Sequence, residues 1–378
     1  MTNFLKRIWR FSSIFKVITL ICMIGLLLAY LTPFVHPNTF KLLPFFGLAY
    51  PIFLVLTLIL LILWALSKSK WALFCLLAVL LGGKLHFRMI ATGNENPTLP
   101  AESNPWNIMS YNVRLFDLYN PDLAQKFKTR DSIFAYIAEV SPDVICFQEF
   151  YHQDKPSNFE TRDLLMKQQD FRHHHERYAH KLAGRQNFGV TILSKYPMIA
   201  KGDVMFEQSG NDDVNYCIYT DVVKNGDTMR IYNVHLQSIK LRNEEHELFI
   251  PGQKDKESVK STSRLILDKL QIAYPKRADQ AIKVAEHAKT SPYPVIICGD
   301  FNDTPLSYTY HQFNRFLRDA YRESGFGIGS TYVGKIPAGR IDYIFHSPGL
   351  TPTEFKIQKK ALSDHLAIHC TLFLTPEL

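Results

Sequence analysis

Zinc-type spacing, a disulfide framework, internal repeats and low-complexity tracts are all missing from this 378-residue chain. Its six cysteines, Cys22, Cys75, Cys146, Cys217, Cys298 and Cys370, form no CxxC pair and no Cys/His cluster, and each sits in an apolar or strand-like run. They are expected to be small core hydrophobes, so the zinc-finger and disulfide-stapled classes fall away. A basic excess is missing from most of the chain as well. Residues 1–100 carry nine basic side chains (Lys6, Arg7, Arg10, Lys16, Lys41, Lys68, Lys70, Lys84 and Arg88) against one acid, Glu95. Of 43 basic and 35 acidic residues in all, residues 101–378 therefore hold 34 of each. The formal charge of +8 belongs to the N-terminal third. This excludes a basic nucleic-acid-coating domain and assigns the positive charge to membrane orientation. A hydrophobic content of 47% excludes a disordered chain.

Long apolar runs are what the first third has. Val17–Val35 is almost uninterrupted hydrocarbon, and about 20 such residues span a bilayer core. Leu42–Leu66 is a second run, with Pro44 and Pro51 near its start. A third, residues 71–86, begins as Trp71–Gly83, shorter than a usual span, and continues into Lys84, His86 and Arg88, which must snorkel if it crosses. No small-x-small cleavage site follows the first run, so a membrane anchor is expected rather than a cleaved signal. Lys6, Arg7 and Arg10 place the N-terminus in the cytoplasm, as does the Ser67–Lys70 loop. Two spans would leave the polar domain inside and three would export it. Three are favoured, because Trp71–Gly83 has no polar face to make it a surface helix. The expected organisation is a membrane segment over residues 1–90, a Gly/Asn/Pro-containing linker over 91–105 and one α/β domain over 106–376.

In that domain Asn107–Val113, Asp143–Phe150, Gly189–Ser194, Cys217–Val223, Met229–Leu236, Val295–Asp300, Ile341–Phe345 and His365–Leu374 read as strands. Helices are expected at Gln125–Val140, Ser258–Ile272 and Lys276–Lys289, the last two split by Pro275. Polar residues gather at the strand ends. Asn112 closes IMSYN, Glu149 closes VICFQE, His235 closes IYNVH, and Asp300 with Asn302 closes VIICGDFN. Asp342 opens IDYIF, and Asp364 with His365 opens the last strand. If the last two strands run antiparallel to the first four, all these groups meet at one edge, where ligand sites of α/β folds lie. Four acids, two histidines and two asparagines there make a hard-oxygen metal site with acid–base groups around it.

The ordered set SYNVR, FQE, NVHLQS, GDFND, RIDYI and SDH resembles the endonuclease/exonuclease/phosphatase (DNase I-like) superfamily, which includes nucleases, neutral sphingomyelinases and inositol-polyphosphate 5-phosphatases. The resemblance covers Asn107–Leu374 and leaves the membrane segment outside. It implies a four-layered α/β sandwich with two central mixed β-sheets, and a phosphoester hydrolase using Mg²⁺, with Mn²⁺ or Ca²⁺ as alternatives. By the same resemblance Glu149 is the main metal carboxylate, supported by Asn112 and Asp364. Asp300 orients and deprotonates the attacking water, Asn302 and Asn112 hold that carboxylate and the phosphate, and His235 donates to a phosphate oxygen. His365 contacts the scissile phosphate and is held by Asp342, which favours its charged form. Arg114 is a departure, standing where some nucleases carry an acid. The substrate stays open between nucleic acid and a phospholipid head group, with a non-catalytic membrane scaffold as the alternative of another class. No protein partner is legible.

Other signals read more plainly. Phe171–His175 contains three adjacent histidines and is expected as a solvated loop rather than a metal tract. Gly210–Asp213 is expected as a hairpin turn and Lys240–Lys260 as a solvated flap over the active edge. Asn187, ahead of the ILSKYP strand, is a candidate phosphate contact.

Overall fold

The computed structural model describes residues 2–93, 103–182, 185–206, 215–239, 256–334 and 339–375. Most of the expected linker, the Gly210–Asp213 turn and most of the Lys240–Lys260 flap lie outside them. The chain forms two compact units, Met1–Met89 with Thr304–His311, and Ile90–Asp303 with Gln312–Leu378. The short second segment of the first unit interrupts what the sequence presents as one continuous catalytic domain.

The first unit contains helices α1 (Thr2–Leu31), α2 (Leu43–Leu48), α3 (Tyr50–Leu66), α4 (Trp71–Gly82) and α5 (His86–Met89). Ser13–Leu31 and Trp71–Met89, 19 residues each, are long and apolar enough to cross a membrane by length and composition, whereas Tyr50–Leu66 is shorter. The third helix, α4, is itself only 12 residues, as expected, and reaches 19 by continuing through its polar end to Met89. A 3-10 turn, Gly83–Leu85, carries the third helix through its polar end. There the His86 Nε2–H donates to the Val79 carbonyl (2.7 Å), and Nδ1 bonds the Tyr50 hydroxyl (2.5 Å), so the imidazole is satisfied internally. Cys22, Leu60, Cys75 and Ala78 form a small buried centre, and Trp64 donates to the Thr19 hydroxyl (2.9 Å). Ile21, Ile52, Leu73 and Leu80 instead turn outward, each more than half exposed.

The second unit is built on two six-stranded mixed sheets. Its elements are β1 (Ala91–Thr92), β2 (Trp106–Asn112), α6 (Leu123–Val140), β3 (Val144–Gln153), α7 (Thr161–Gln168), β4 (His173–Leu182), β5 (Gln186–Ser194), β6 (Met198–Val204), β7 (Tyr216–Lys224), β8 (Asp227–His235), α8 (Lys256–Lys289), β9 (Val295–Asp300), α9 (Tyr308–Asn314, of which Tyr308–His311 belong to the first unit), β10 (Arg318–Asp319), α10 (Ala320–Ser324), β11 (Phe326–Gly327), β12 (Asp342–His346), β13 (Leu350–Ile357) and β14 (Ile368–Leu374). One sheet runs β13-β14-β2-β3-β5-β4, the other β10-β12-β9-β8-β7-β6, and β1 pairs with β11. Between the sheets Ile108, Cys146 and Ile192 pack against Ile231, Ile296 and Cys298. On the outer face of the first sheet Ile133, Phe134 and Ile137 of α6 cover Met109, Ile145 and Phe147. On the second, His287 of α8 bonds the Tyr232 hydroxyl of β8 (2.8 Å). Helix, sheet, sheet, helix is the expected four-layered sandwich.

All six cysteines are buried thiols in these cores. Helix α6 begins where Asp122 accepts from the Ala124 and Gln125 amides (2.9 and 3.2 Å), satisfying two otherwise unpaired N–H groups. Two expectations are corrected. Helix α8 continues through Pro275, because Tyr274, Ala278, Ala281 and Val284 bury one apolar stripe on both sides of it. That burial outweighs the roughly 3 kcal/mol penalty of an internal proline. The histidine tract is strand β4, not a loop. His175 Nδ1–H donates to the Tyr219 carbonyl (3.0 Å), and its Nε2 lies 3.6 Å from Asp203.

Candidate active site

Strand direction brings the candidate groups together. β2 runs parallel to β3 and β8 parallel to β9, while β12 is antiparallel to β9 and β14 antiparallel to β2. Groups that close β2, β3, β8 and β9 therefore meet groups that precede or open β12 and β14. His365 sits three residues before β14 begins, in an isolated bridge with Tyr332, rather than opening the strand as the pattern implied. Gly299 is required by the close approach of β8: at φ +147° a Cβ there would lie 1.9 Å from the Val234 carbonyl oxygen. It lets β9 deliver Asp300 beside His235.

Asp300, 1% exposed, is the hub. Its Oδ1 accepts from the Asn302 backbone N–H (2.8 Å), and Oδ2 accepts from Asn112 Nδ2 (3.1 Å) and Asn302 Nδ2 (3.2 Å). The Nε2 atoms of His365 and His235 lie 3.6 and 3.8 Å from Oδ2. Burial raises the Asp300 pKa, against the opposing pull of His365. The Asn112 amide also donates to Glu149 Oε1 (3.4 Å), while its oxygen accepts from the Arg114 N–H (3.1 Å). Asn112 thus faces both carboxylates as a donor. Glu149 lies 4.0 Å from His235 Nε2. Burial, with Asp364 and Asp300 nearby, lifts its carboxyl to about 7.

His365 Nδ1 bonds both oxygens of Asp342 (3.0 and 3.2 Å). Burial would lower the imidazole pKa, but Asp342 and then Asp300 outweigh it and push it to about 10. Arg340, the other plausible partner of Asp342 in sequence, instead pairs with Asp319 (2.6 Å). Asp364, beside Arg114 Nε at 3.9 Å, completes the acidic side. These contacts link Asn112, Glu149, His235, Asp300, Asn302, Asp342 and His365, with Asp364 beside Arg114. Asn187 donates to Asp154 (3.1 Å) and is 4% exposed.

Three of these groups, Asp300, Asp342 and His365, bring ligand atoms within 4.8 Å of one another. Glu149, which shares the Asn112 amide with Asp300, adds a carboxylate whose proton affinity burial raises, with Asp364 and Asp300 nearby, despite the opposing pull of His365. A hard divalent cation fits that donor set.

Sequence reading missed two contributors. Tyr332 stacks edge-on to the His365 ring (centroids 5.0 Å apart), and the Thr331 hydroxyl accepts from the Ile341 and Asp342 N–H groups (both 3.1 Å). Both lie in an irregular segment with no motif, and only the three-dimensional pairing with His365 reveals them.

A two-sheet sandwich with an acid–histidine–asparagine cluster at one edge defines the phosphoester-hydrolase class of α/β proteins. The sequence pattern of the endonuclease/exonuclease/phosphatase family matches residues 109–365, more than half of the chain, and the chain belongs to that family. Residues 12–89 match a second pattern, a domain of unknown function designated DUF8431. No curated protein matches the chain. Among solved structures it is similar to an endonuclease/exonuclease/phosphatase from Beutenbergia cavernae (17% identity, 71% of this chain and 72% of that one, TM-score 0.51). It is also similar to a family protein from Bacteroides thetaiotaomicron (16%, 73% and 98%, TM-score 0.50) and to D. rerio TDP2 complexed with a single-strand DNA product (19%, 71% and 99%, TM-score 0.50). These likenesses establish the fold.

Proposed function

We propose that this chain is a membrane-anchored, divalent-metal-dependent phosphodiesterase that cleaves by in-line attack of water on phosphorus. The convergence of the Asp342–His365 pair on Asp300, beside Glu149, carries this reading. Glu149 and Asp364 would hold Mg²⁺. When bound, such a cation neutralises phosphoryl charge and polarises the phosphorus–oxygen bonds. Asp300 orients the water and takes its proton. Its carboxylate is fixed by three donors from Asn112 and Asn302, and its raised pKa makes it a better base. His365 stays an imidazolium at neutral pH and donates from Nε2, which lies 3.6 Å from Asp300, to a phosphate oxygen bound beside the pair. His235, whose Nε2 lies 3.8 Å from the same Asp300 oxygen, donates to a phosphate oxygen as well.

Full-length protein in detergent should release p-nitrophenol from bis(p-nitrophenyl) phosphate with Mg²⁺ and stop in EDTA. Undiminished release in EDTA would refute the metal reading, and silence under all conditions would favour a scaffold. The outward apolar side chains of the first unit support anchoring. A three-span topology would export the catalytic unit. Alkaline phosphatase fused after Leu378 should then be active, and a fluorescent GFP fusion there would mean a cytoplasmic enzyme.

The catalytic unit's neutral charge and the apolar helices favour a short or lipid-linked diester over long duplex DNA. The TDP2 likeness, at 19% identity, weighs only on fold. Parallel assays on DNA, RNA, sphingomyelin and phosphoinositides decide the substrate.

A further inference from the structure

Glu149 stands in an interrupted ladder. Strands β3 and β5 pair regularly up to Phe147 opposite Thr191 and resume at Phe150 opposite Gly189. Gln148 and Glu149 therefore oppose the single residue Val190, a β-bulge, and Glu149 has φ +50°, which side chains other than glycine rarely adopt. This local kink aims the Glu149 carboxylate at Asn112.

Beneath the bulge, in the middle of the sandwich, lie two amides with no exposed surface, Gln148 of β3 and Asn233 of β8 in the opposite sheet. Gln148 Nε2 donates to Asn233 Oδ1 (2.7 Å), with longer bonds to the Ser110 hydroxyl (3.2 Å) and the Cys146 carbonyl (3.3 Å). Asn233 Nδ2 donates to the carbonyls of Phe147 (2.8 Å) and Thr191 (3.0 Å), the last regular pair before the interruption. One side chain from the far sheet thus ties both strands at the base of the bulge. A buried amide costs free energy unless bonded, and two apolar residues would fill this core without that cost. The pair precedes Glu149 by one residue and His235 by two, so it fixes the spacing between one acid and one histidine supplied by different sheets.

We propose that Gln148 and Asn233 are positioning residues: their cross-sheet amide tie holds the bulge that presents Glu149 to the metal. The proposal rests on the reading of Glu149 as the metal carboxylate, and the test separates the two. Full-length protein in detergent carries Asn233→Leu, Gln148→Met, Glu149→Gln or, as a core control in the same strand, Ile231→Ala. Mn²⁺ affinity is measured by calorimetry, with no substrate present, alongside the thermal midpoint without metal. Asn233→Leu and Gln148→Met should each weaken Mn²⁺ binding about 10-fold or more, the loss expected when a metal ligand's supporting hydrogen bonds are removed. Ile231→Ala should lower the midpoint while leaving affinity within about 2-fold, since it opens a cavity and breaks no hydrogen bond. Should Asn233→Leu fail to fold, Gln148→Met carries the test alone. Loss of binding in Glu149→Gln beside unchanged affinity in the folded tie variants would overturn the positioning role. Unchanged affinity in Glu149→Gln would overturn the metal assignment and the proposal with it.

Discussion

Glu149 and His365 both hold their protons to higher pH than such side chains ordinarily do, over adjoining windows. The Glu149 carboxyl, lifted to about 7, keeps its proton in the folded metal-free protein through a window where the unfolded chain has lost it. The folded state then binds more protons, so its stability falls as pH rises from about 4.5 to about 7. Metal-free wild type should lose thermal midpoint across that window relative to Glu149→Gln, and Mn²⁺ binding should release protons below pH 7 and strengthen toward it. Calorimetry in buffers of different ionisation enthalpy reads the proton count; no release at pH 6 would contradict the shift. His365, near 10, acts in the same sense over a higher window: its charge–charge stabilisation is complete below about 6.5 and is lost as pH rises through 10. Asp342→Asn removes its strongest attractive charge, so the alkaline limb of the pH–rate profile should move down by a unit or more. Combining it with His365→Ala should cost little beyond the worse single variant, because the two act as one unit. A loss equal to the product of the single losses would break the pairing. Glu149, Asp300 and His365 were legible in the sequence because chemistry at strand ends keeps short fixed strings. Tyr332 was not, since its contact with His365 crosses 33 residues of chain.

At the level of elements, the strands that escaped sequence reading share one position. β4, β6 and β13 each lie at the edge of a sheet, and β10, a two-residue strand, takes the remaining edge. Edge strands carry charge, proline and irregularity to discourage pairing with other chains, and these features erase the alternation that marks a central strand. β4 reads HHHERYAHKL, β6 contains Lys201 and Asp203, and β13 contains Pro352 and Glu354 with a register shift before Lys356. Central β3 and β9 open on apolar runs (VICF and VIIC) and β8 alternates around Met229 and Ile231, so these strands are legible in the sequence. Gly299 illustrates what the central pairing demands. Gly299→Ala should destabilise the fold by about 1–3 kcal/mol and reduce turnover by displacing Asp300. Gly349→Ala, with open space and no positive φ, should be close to neutral. Urea denaturation of both variants checks this, and equal stabilities would mean that β8 yields to the added methyl.

Considered as a whole molecule, the neutral catalytic unit predicts its own response to salt. Proteins that bind duplex DNA through many phosphate contacts lose affinity with a log–log slope of about −0.9 per phosphate neutralised. With 34 basic and 34 acidic residues beyond position 100, cleavage of plasmid DNA should be slow and only modestly salt-dependent. Initial rates on plasmid and on sphingomyelin vesicles across a salt series decide this; fast plasmid cleavage with a steep slope would reveal a basic groove assembled from scattered residues. The sheet order also sets a sequence of events during synthesis. β14, the final strand, lies between β13 and β2, and β2 is the first long strand of its unit to leave the ribosome. Until β14 has been made β2 has no partner on that flank, and Asp364 and His365, which precede β14, are absent as well. A chain interrupted before Asp364 would therefore lack His365 and leave one flank of β2 unpaired and open to aggregation.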